Sequence, residues 1–372
     1  MFESFIVPEE LKPSDPRFGV GPSLVPESYI QSLLETGKSV LGNSHRKPAV
    51  KNLCKEIQEG LTKYFNLPNG YEVCLTNGGA TFLFDMMGLG LVEKSSVHFT
   101  CGEFSTKWYK SHKMIPWINA EQRSVEFGEG INPEVVSGHD MICCTLNETS
   151  TGVMLNNLPT NKPEDVLLAI DATSGAGQIP VDMSLVDVYF FSPQKVFASE
   201  GGFAVCILSP AAIARAEKVW NTERYIPEIM SFKQLIDNSR KNQTYNTPSV
   251  STLFLLNEQV KKMNQLGEET VVKMAKEKAD HIYNWAMAKP YLNCYIQDEK
   301  FRSLSVATID LDDKYVAADL TKVLRAQNVV LDIDSYRKLG RNQFRISLFH
   351  NITLEDVKKL TTIIDLAIES IK

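Results

Sequence analysis

From Tyr71 onward the chain alternates short apolar runs with stretches of helical spacing, and that alternation limits the fold more than any other feature. Tyr71 to Thr76 precedes Thr81 to Leu91, and Ser96 to Cys101 precedes Phe104 to Met114. Further apolar runs follow at Met141 to Leu146, Val166 to Ile170, Val186 to Phe191 and Phe203 to Leu208. Strands this apolar are buried on both faces, and helical links between them make crossover units. The pattern therefore predicts an α/β fold with a mostly parallel sheet and helices on both faces.

Upstream, Val50, Leu53, Cys54, Ile57, Leu61 and Phe65 mark one apolar stripe of a helix over 48–65, while the Pro-rich first residues read as an extended arm. After Pro248 the character changes to long helical patterns, Val250 to Leu266 and Glu268 to Met287, with no strand expected until about Ser303. Leu304 to Ile309, Tyr315 to Ala326, Phe344 to Leu348 and Leu354 to Ile371 then read as a smaller α+β unit. The expected division is an arm over 1–17, a large domain over 18–262 and a small C-terminal domain over 263–372.

Two polar residues stand where this sheet would place its strand ends. Asp171 closes the run Val166 to Ile170, and Lys195 follows Val186 to Phe191 within Ser192-Pro193-Gln194-Lys195. Small residues follow Asp171, from Ala172 to Gly177, and let another molecule approach the backbone. An amine and a carboxylate at the ends of two buried strands suit a pyridoxal phosphate enzyme. The amine joins the cofactor aldehyde, while the carboxylate keeps the pyridine nitrogen protonated so that the ring accepts electrons.

Bulk composition narrows the alternatives. The 372 residues are 43% hydrophobic and 23% charged, ordinary for a globular chain with room for two domains. A net charge of −6 argues against a nucleic-acid surface, which wants clustered excess Lys and Arg. The dense basic group is Arg337-Lys338 with Arg341 and Arg345, sized for one small anion. Seven cysteines without a CxxC pair suggest neither a zinc site nor a disulfide framework, and no run of 18 apolar residues suggests a membrane span. The expectation is a soluble cytoplasmic protein with no metal, nucleic-acid or membrane partner.

Three further segments are candidates for binding. Asn77-Gly78-Gly79-Ala80-Thr81 lies between a strand and a helix, where backbone N–H groups could hold a phosphate; it is equally compatible with a plain glycine turn. Asn147-Glu148-Thr149-Ser150-Thr151-Gly152 follows a strand and offers hydroxyls, or merely an Asx or Ser/Thr turn. Ser44-His45-Arg46 precedes a proline-started helix, and Arg46 becomes functional if it meets Arg337, Arg341 or Arg345 on one doubly charged anion. Gly175-Ala176-Gly177 lacks the third glycine of a dinucleotide fingerprint.

Together these segments resemble the phosphoserine aminotransferases of the class V, fold-type I pyridoxal phosphate aminotransferases, and within them the actinobacterial-type branch. The likeness runs through Phe18-Gly19-Val20-Gly21-Pro22-Ser23, Ser44-His45-Arg46, Gly78-Gly79-Ala80-Thr81, Asn147-Glu148-Thr149, Asp171-Ala172-Thr173-Ser174 and Pro193-Gln194-Lys195. It continues through Asn242 to Pro248 and Tyr336-Arg337-Lys338-Leu339-Gly340-Arg341.

The resemblance implies a seven-stranded, mostly parallel sheet with a smaller C-terminal α+β domain. It implies transfer of the amino group of L-glutamate to 3-phosphohydroxypyruvate, giving O-phospho-L-serine, with the phosphorylated four-carbon oxo acid of vitamin B6 synthesis as a possible second substrate. Lys195 would be the Schiff-base lysine and Asp171 the partner of the pyridine nitrogen; Phe104 would stack on the ring and Thr149 lie beside its oxygen. Ala80, Thr81 and Gln194 match phosphate ligands, and Asn246 and Thr247 match residues that reach the phosphate from the neighbouring subunit of a homodimer. Arg345 matches the grip on the substrate α-carboxylate, and His45, Arg46 and Arg337 the clamp on its far anion.

The familiar pattern outside this branch has a histidine where Tyr336 stands, so Lys338 or Arg341 is left to complete the anion pocket. A cysteine desulfurase-like lyase of the same class, or a non-catalytic cofactor binder, are the alternatives.

Overall fold

The computed structural model describes residues 2–371. Two helices, α1 (Glu27–Thr36) and α2 (Pro48–Tyr64), lead into the large sheet. Proline opens α2, where its missing N–H costs nothing, and the stripe Val50, Leu53, Cys54, Ile57 and Leu61 is buried as its spacing demands.

Strands and helices then alternate: β1 (Glu72–Asn77), α3 (Ala80–Gly90), β2 (Ser95–Thr100), α4 (Glu103–Lys113), β3 (Asn119–Ser124) and β4 (Met141–Thr145). A two-residue pair, β5 (Asn147–Glu148) with β6 (Val153–Met154), forms a small hairpin, and β7 (Leu167–Asp171), β8 (Val188–Phe191) and β9 (Phe203–Leu208) complete the large sheet. The seven strands run in the order β1-β9-β8-β7-β4-β2-β3. All neighbours are parallel except β9, which is antiparallel to both β1 and β8. Strands β1, β2, β4, β7 and β8 therefore end on one edge of the sheet, the edge at which open α/β sheets bind ligands.

Helices α5 (Pro210–Trp220), α6 (Phe232–Ser239) and α7 (Val250–Leu266) follow. Apolar clusters fill both faces of the sheet, one led by α2 and α7 with Tyr189 and Phe191, the other by α3 and α4 with Phe190 and Trp108. The expected boundary at 262/263 falls inside α7.

The C-terminal unit carries α8 (Glu268–Met287), β10 (Leu292–Cys294), β11 (Val306–Leu311), α9 (Ala317–Ala326), β12 (Gln343–Ser347) and α10 (Leu354–Glu369). Its three strands form an antiparallel sheet in the order β10-β11-β12. β10 corrects the expectation of no strand before about Ser303: three residues with an exposed Asn293 between two buried neighbours are too short to stand out. The arm does not hang free, because Phe2, Val7 and Phe18 are buried in this unit's core.

Contacts from the large sheet hold the small one in place. Gln178 Nε2 donates to the Leu304 carbonyl at 2.9 Å and to Ser305 Oγ at 3.0 Å, and Thr308 Oγ1 donates to the Thr151 carbonyl at 2.8 Å. Arg345 on β12 lies opposite Thr308 on β11, so this last bond brings Arg345 to the carboxyl edge of the large sheet.

Candidate active site

A cavity of about 390 Å³ opens at that edge. Each wall comes from the end of a different strand: Gly78 to Thr81 after β1, Phe104 after β2, Asn147 and Thr149 after β4, Asp171 at the end of β7, and Ser192, Gln194 and Lys195 after β8. Arg345 and Tyr336 close it from the C-terminal unit, and Val20, Gly21 and Pro22 from the N-terminal segment.

Lys195 is 7% exposed, and its Nζ donates to Thr149 Oγ1 at 2.8 Å. Loss of solvation lowers its pKa from 10.5 to about 8; Asp171 opposes this shift and the Arg345 guanidinium adds to it. The amine also stands 5.3 Å from the centre of the Phe104 ring. Thr149 is fixed in turn, donating to Ser174 Oγ at 2.9 Å.

Asp171 is 6% exposed, and burial raises the pKa of its carboxyl against the pull of Thr173 and Lys195. Thr173 donates its N–H at 3.0 Å and its hydroxyl at 2.6 Å, both to Oδ1. That Asx turn leaves Oδ2 as an acceptor for a cationic N–H, which would favour the ionised form.

The β1–α3 turn is built for an anion. Gly79, at the start of α3, has no side chain to cap the helix, while Ser192 Oγ takes the Ala80 N–H at 2.6 Å and Thr81 lines the cavity. A side chain on Gly79 would bring its Cβ within 3.1 Å of Ser192 Oγ, at a φ of 89° that already favours glycine. Gln194 Oε1 is buried here without a partner.

At the opposite end Arg345 Nη1 donates to the Thr149 carbonyl at 3.3 Å, its Nε is buried without a partner, and its Cζ lies 5.4 Å from the centre of the Tyr336 ring. An oriented guanidinium with N–H groups to spare suits a carboxylate. Among the described residues, Lys195 and Arg345 are the cations lining the cavity.

The other predicted residues divide into two places. His45, Arg46, Asn246 and Thr247 gather on a rim beside Asn77: Asn77 Nδ2 donates to Asn246 Oδ1 at 2.8 Å, and His45 Nδ1 lies 3.2 Å from Thr247 Oγ1. Arg46, Asn246 and Thr247 are exposed, and none of the four lines this chain's own cavity. The basic cluster expected around 337–345 is not formed as one anion site. Lys338 pairs with Glu103, Arg341 pairs with Asp310 at 2.5 Å and lies 4.2 Å from the centre of the Tyr295 ring, and Arg337 is exposed. Arg341 lines a separate surface hollow, where Asp310 supplies its countercharge. Tyr336 lines the cavity itself. Ser192, Thr173 and the segment Val20 to Pro22 were not anticipated as site residues; the spacing of Thr173 two residues after Asp171 is a recognisable Asx-turn signal.

The sequence pattern of the class-V aminotransferases matches residues 18–360. The chain belongs to the class-V aminotransferases. Among its relatives in that family, the phosphoserine aminotransferase of Corynebacterium glutamicum is 48% identical, the match covering 98% of this chain and 97% of the relative. That of Nocardioides sp. is 43% identical over 99% of this chain and all of the relative. The crystal structure of a phosphoserine aminotransferase from Cytophaga hutchinsonii superposes with a TM-score of 0.87 at 26% identity, covering 94% of this chain and 98% of that one. For a class-V aminotransferase the cavity has the expected outline. A lysine of lowered pKa, an acid with one unpaired oxygen, a helix start at the cavity wall and an aromatic ring fit the aldehyde, pyridine nitrogen, phosphate and ring of pyridoxal phosphate.

Proposed function

We propose that the chain is a pyridoxal phosphate-dependent phosphoserine aminotransferase, moving the amino group of L-glutamate to 3-phosphohydroxypyruvate to give O-phospho-L-serine and 2-oxoglutarate. The observation that carries this reading is one cavity with Lys195, Asp171 and Arg345 on its walls, in a chain 48% identical to a phosphoserine aminotransferase.

Pyridoxal phosphate supplies an aldehyde that condenses with amines and a ring that takes up the electrons of a bond broken beside it. Lys195, half of it neutral at pH 8, would be the amine that meets the aldehyde and later carries the proton from the substrate Cα. Thr149 holds that amine on the Phe104 side of the cavity. Asp171, with Oδ2 left free by Thr173, would hold the pyridine nitrogen, and Phe104 would lie against the ring. Ala80, Thr81, Ser192 and Gln194, which line one side of the cavity, would hold the phosphate. Arg345 grips the α-carboxylate common to both substrates.

The far anion is a carboxylate in glutamate and a phosphate in phosphohydroxypyruvate. Arginine and histidine accept either, where an apolar slot would accept neither. His45, Arg46 and Arg337 are the proposed clamp, and the rim that groups His45 and Arg46 with Asn246 and Thr247 supports a homodimer in which each subunit completes its neighbour's site. Exposed Ile30, Leu34 and Leu41, in the stretch that leads to His45, supply apolar surface for such a contact.

A desulfurase-like reading needs a mobile cysteine, but all seven are buried. A silent binder has no use for Arg345. No helix among the described residues is long and apolar enough to cross a membrane, and the free buried thiols support the cytoplasm as location.

The test mixes the yellow protein separately with O-phosphoserine, glutamate, alanine and cysteine and follows the visible absorbance. Bleaching by the first two alone is the expected result. Bleaching by cysteine or alanine, with O-phosphoserine inert, would overturn the assignment.

A further inference from the structure

The segment Glu148 to Ser150 does more than present the Thr149 hydroxyl. Helix α4 begins at Glu103 behind Gly102, a residue with no side chain to cap it. Its first three N–H groups still find acceptors. Glu103 donates to Ser150 Oγ at 3.0 Å, Phe104 to Glu148 Oε1 at 3.2 Å and Ser105 to Glu148 Oε2 at 2.9 Å. The hydroxyls of Ser105 and Ser150 add bonds of 2.8 and 2.7 Å, and the Ser150 N–H one of 3.3 Å.

Glu148 is wholly buried, and its carboxylate accepts from five donors while giving none. Gly102 leaves the space it occupies, since a Cβ there would stand 2.3 Å from Glu148 Cγ. A cap normally comes from the residue that precedes the helix. Here it comes from 45 residues downstream, and a negative group at a helix start is favoured by the helix dipole as well. The capped turn is the one that carries Phe104.

We propose that Glu148 is a positioning residue for the reaction: by capping α4 from outside, it sets the tilt of the Phe104 ring against the cofactor, in register with the Lys195 amine held by the adjacent Thr149. This rests on the reading that pyridoxal phosphate lies against Phe104. Replacing one carboxylate oxygen by an amide group, as in Glu148→Gln, keeps the shape but turns an N–H toward a backbone donor, so the first turn shifts while the core stays packed.

The experiment compares wild type, Glu148→Gln, Glu148→Ala, Phe104→Ala and the double variant Glu148→Gln/Phe104→Ala, each loaded with pyridoxal phosphate. The readouts are far-UV circular dichroism for the fold, visible circular dichroism of the bound cofactor, and the rate of cofactor release. The expected result for Glu148→Gln is an unchanged far-UV spectrum, a visible signal cut by about half or more, and release faster by about fivefold, the size of one lost cap. In the Phe104→Ala background the Glu148→Gln change adds nothing to either cofactor readout. Should Glu148→Ala fail to fold, the isosteric variant still decides. Wild-type cofactor signals in Glu148→Gln, or full additivity with Phe104→Ala, would overturn the proposal. A wild-type protein that gives no visible signal with the cofactor would instead overturn the reading of the site.

Discussion

Lys195 and Thr149 meet through a 2.8 Å hydrogen bond from Nζ to Oγ1, and the carbonyl of the same threonine accepts from Arg345. One residue thus touches both cations of the cavity. It holds the amine on one side and orients the guanidinium on the other, so the distance between amine and guanidinium is set by a single backbone unit.

Lys195→Ala removes the amine proposed both to meet the aldehyde and to move the proton. Transamination is expected to fall by about 10³-fold or more. Borohydride reduction of the wild-type protein with pyridoxal phosphate should label the peptide bearing Lys195, and the variant should give no label there. A label on another lysine would place the chemistry elsewhere.

The lowered pKa of Lys195 has a pH signature of definite sign. The protonated amine cannot attack, so capture of pyridoxal phosphate by apo protein should rise about tenfold per pH unit up to about 8 and level off above it. Because the folded amine gives up its proton near 8 and the unfolded one near 10.5, the unfolded chain holds more protons between those values. Stability of the apo protein should therefore gain from this group as pH rises through that window. Stopped-flow capture from pH 6 to 10 checks the first effect; a rate still climbing at pH 10 would mean the amine is not desolvated in solution.

Arg345 tests the carboxylate grip. Its unpartnered Nε and single 3.3 Å bond leave donors available to substrate. Arg345→Ala should weaken glutamate and O-phosphoserine alike, by roughly 1.5–3 kcal/mol or about 10- to 150-fold in KM or half-reaction affinity. Wild-type affinity for both substrates would remove Arg345 from the carboxylate grip.

Much of this was readable in advance because burial leaves a plain mark. Strands β4, β7, β8 and β9 are buried along their whole length, and their apolar runs announce them. Lys195 and Asp171 stand out as charges beside such runs. Strand β3 escaped notice for the opposite reason: Asn-Ala-Glu-Gln-Arg-Ser at the sheet edge pairs only with β2 and needs no apolar side. For the basic residues from Arg337 to Arg345, proximity along the chain says nothing of countercharges. Glu103 and Asp310, which take up Lys338 and Arg341, lie 235 and 31 residues away in sequence. Likewise the cap on α4 was hidden, since nothing in the spacing of Phe104 and Glu148 tells that they meet.

Gly21 offers the sharpest separation of stability from chemistry. Its φ is 154°, and a Cβ there would stand 2.7 Å from Lys195 Cε. The neighbour is the far end of a flexible side chain, so the lysine yields before the backbone does. Gly21→Ala should cost about 1–3 kcal/mol of stability through the backbone conformation, leaving a folded protein. Displacing the amine by an ångström is expected to slow cofactor capture and turnover about 10²-fold. Thermal unfolding and capture kinetics on the same sample check the split: a variant that unfolds readily but captures cofactor at the wild-type rate would show that this glycine serves the fold and not the lysine.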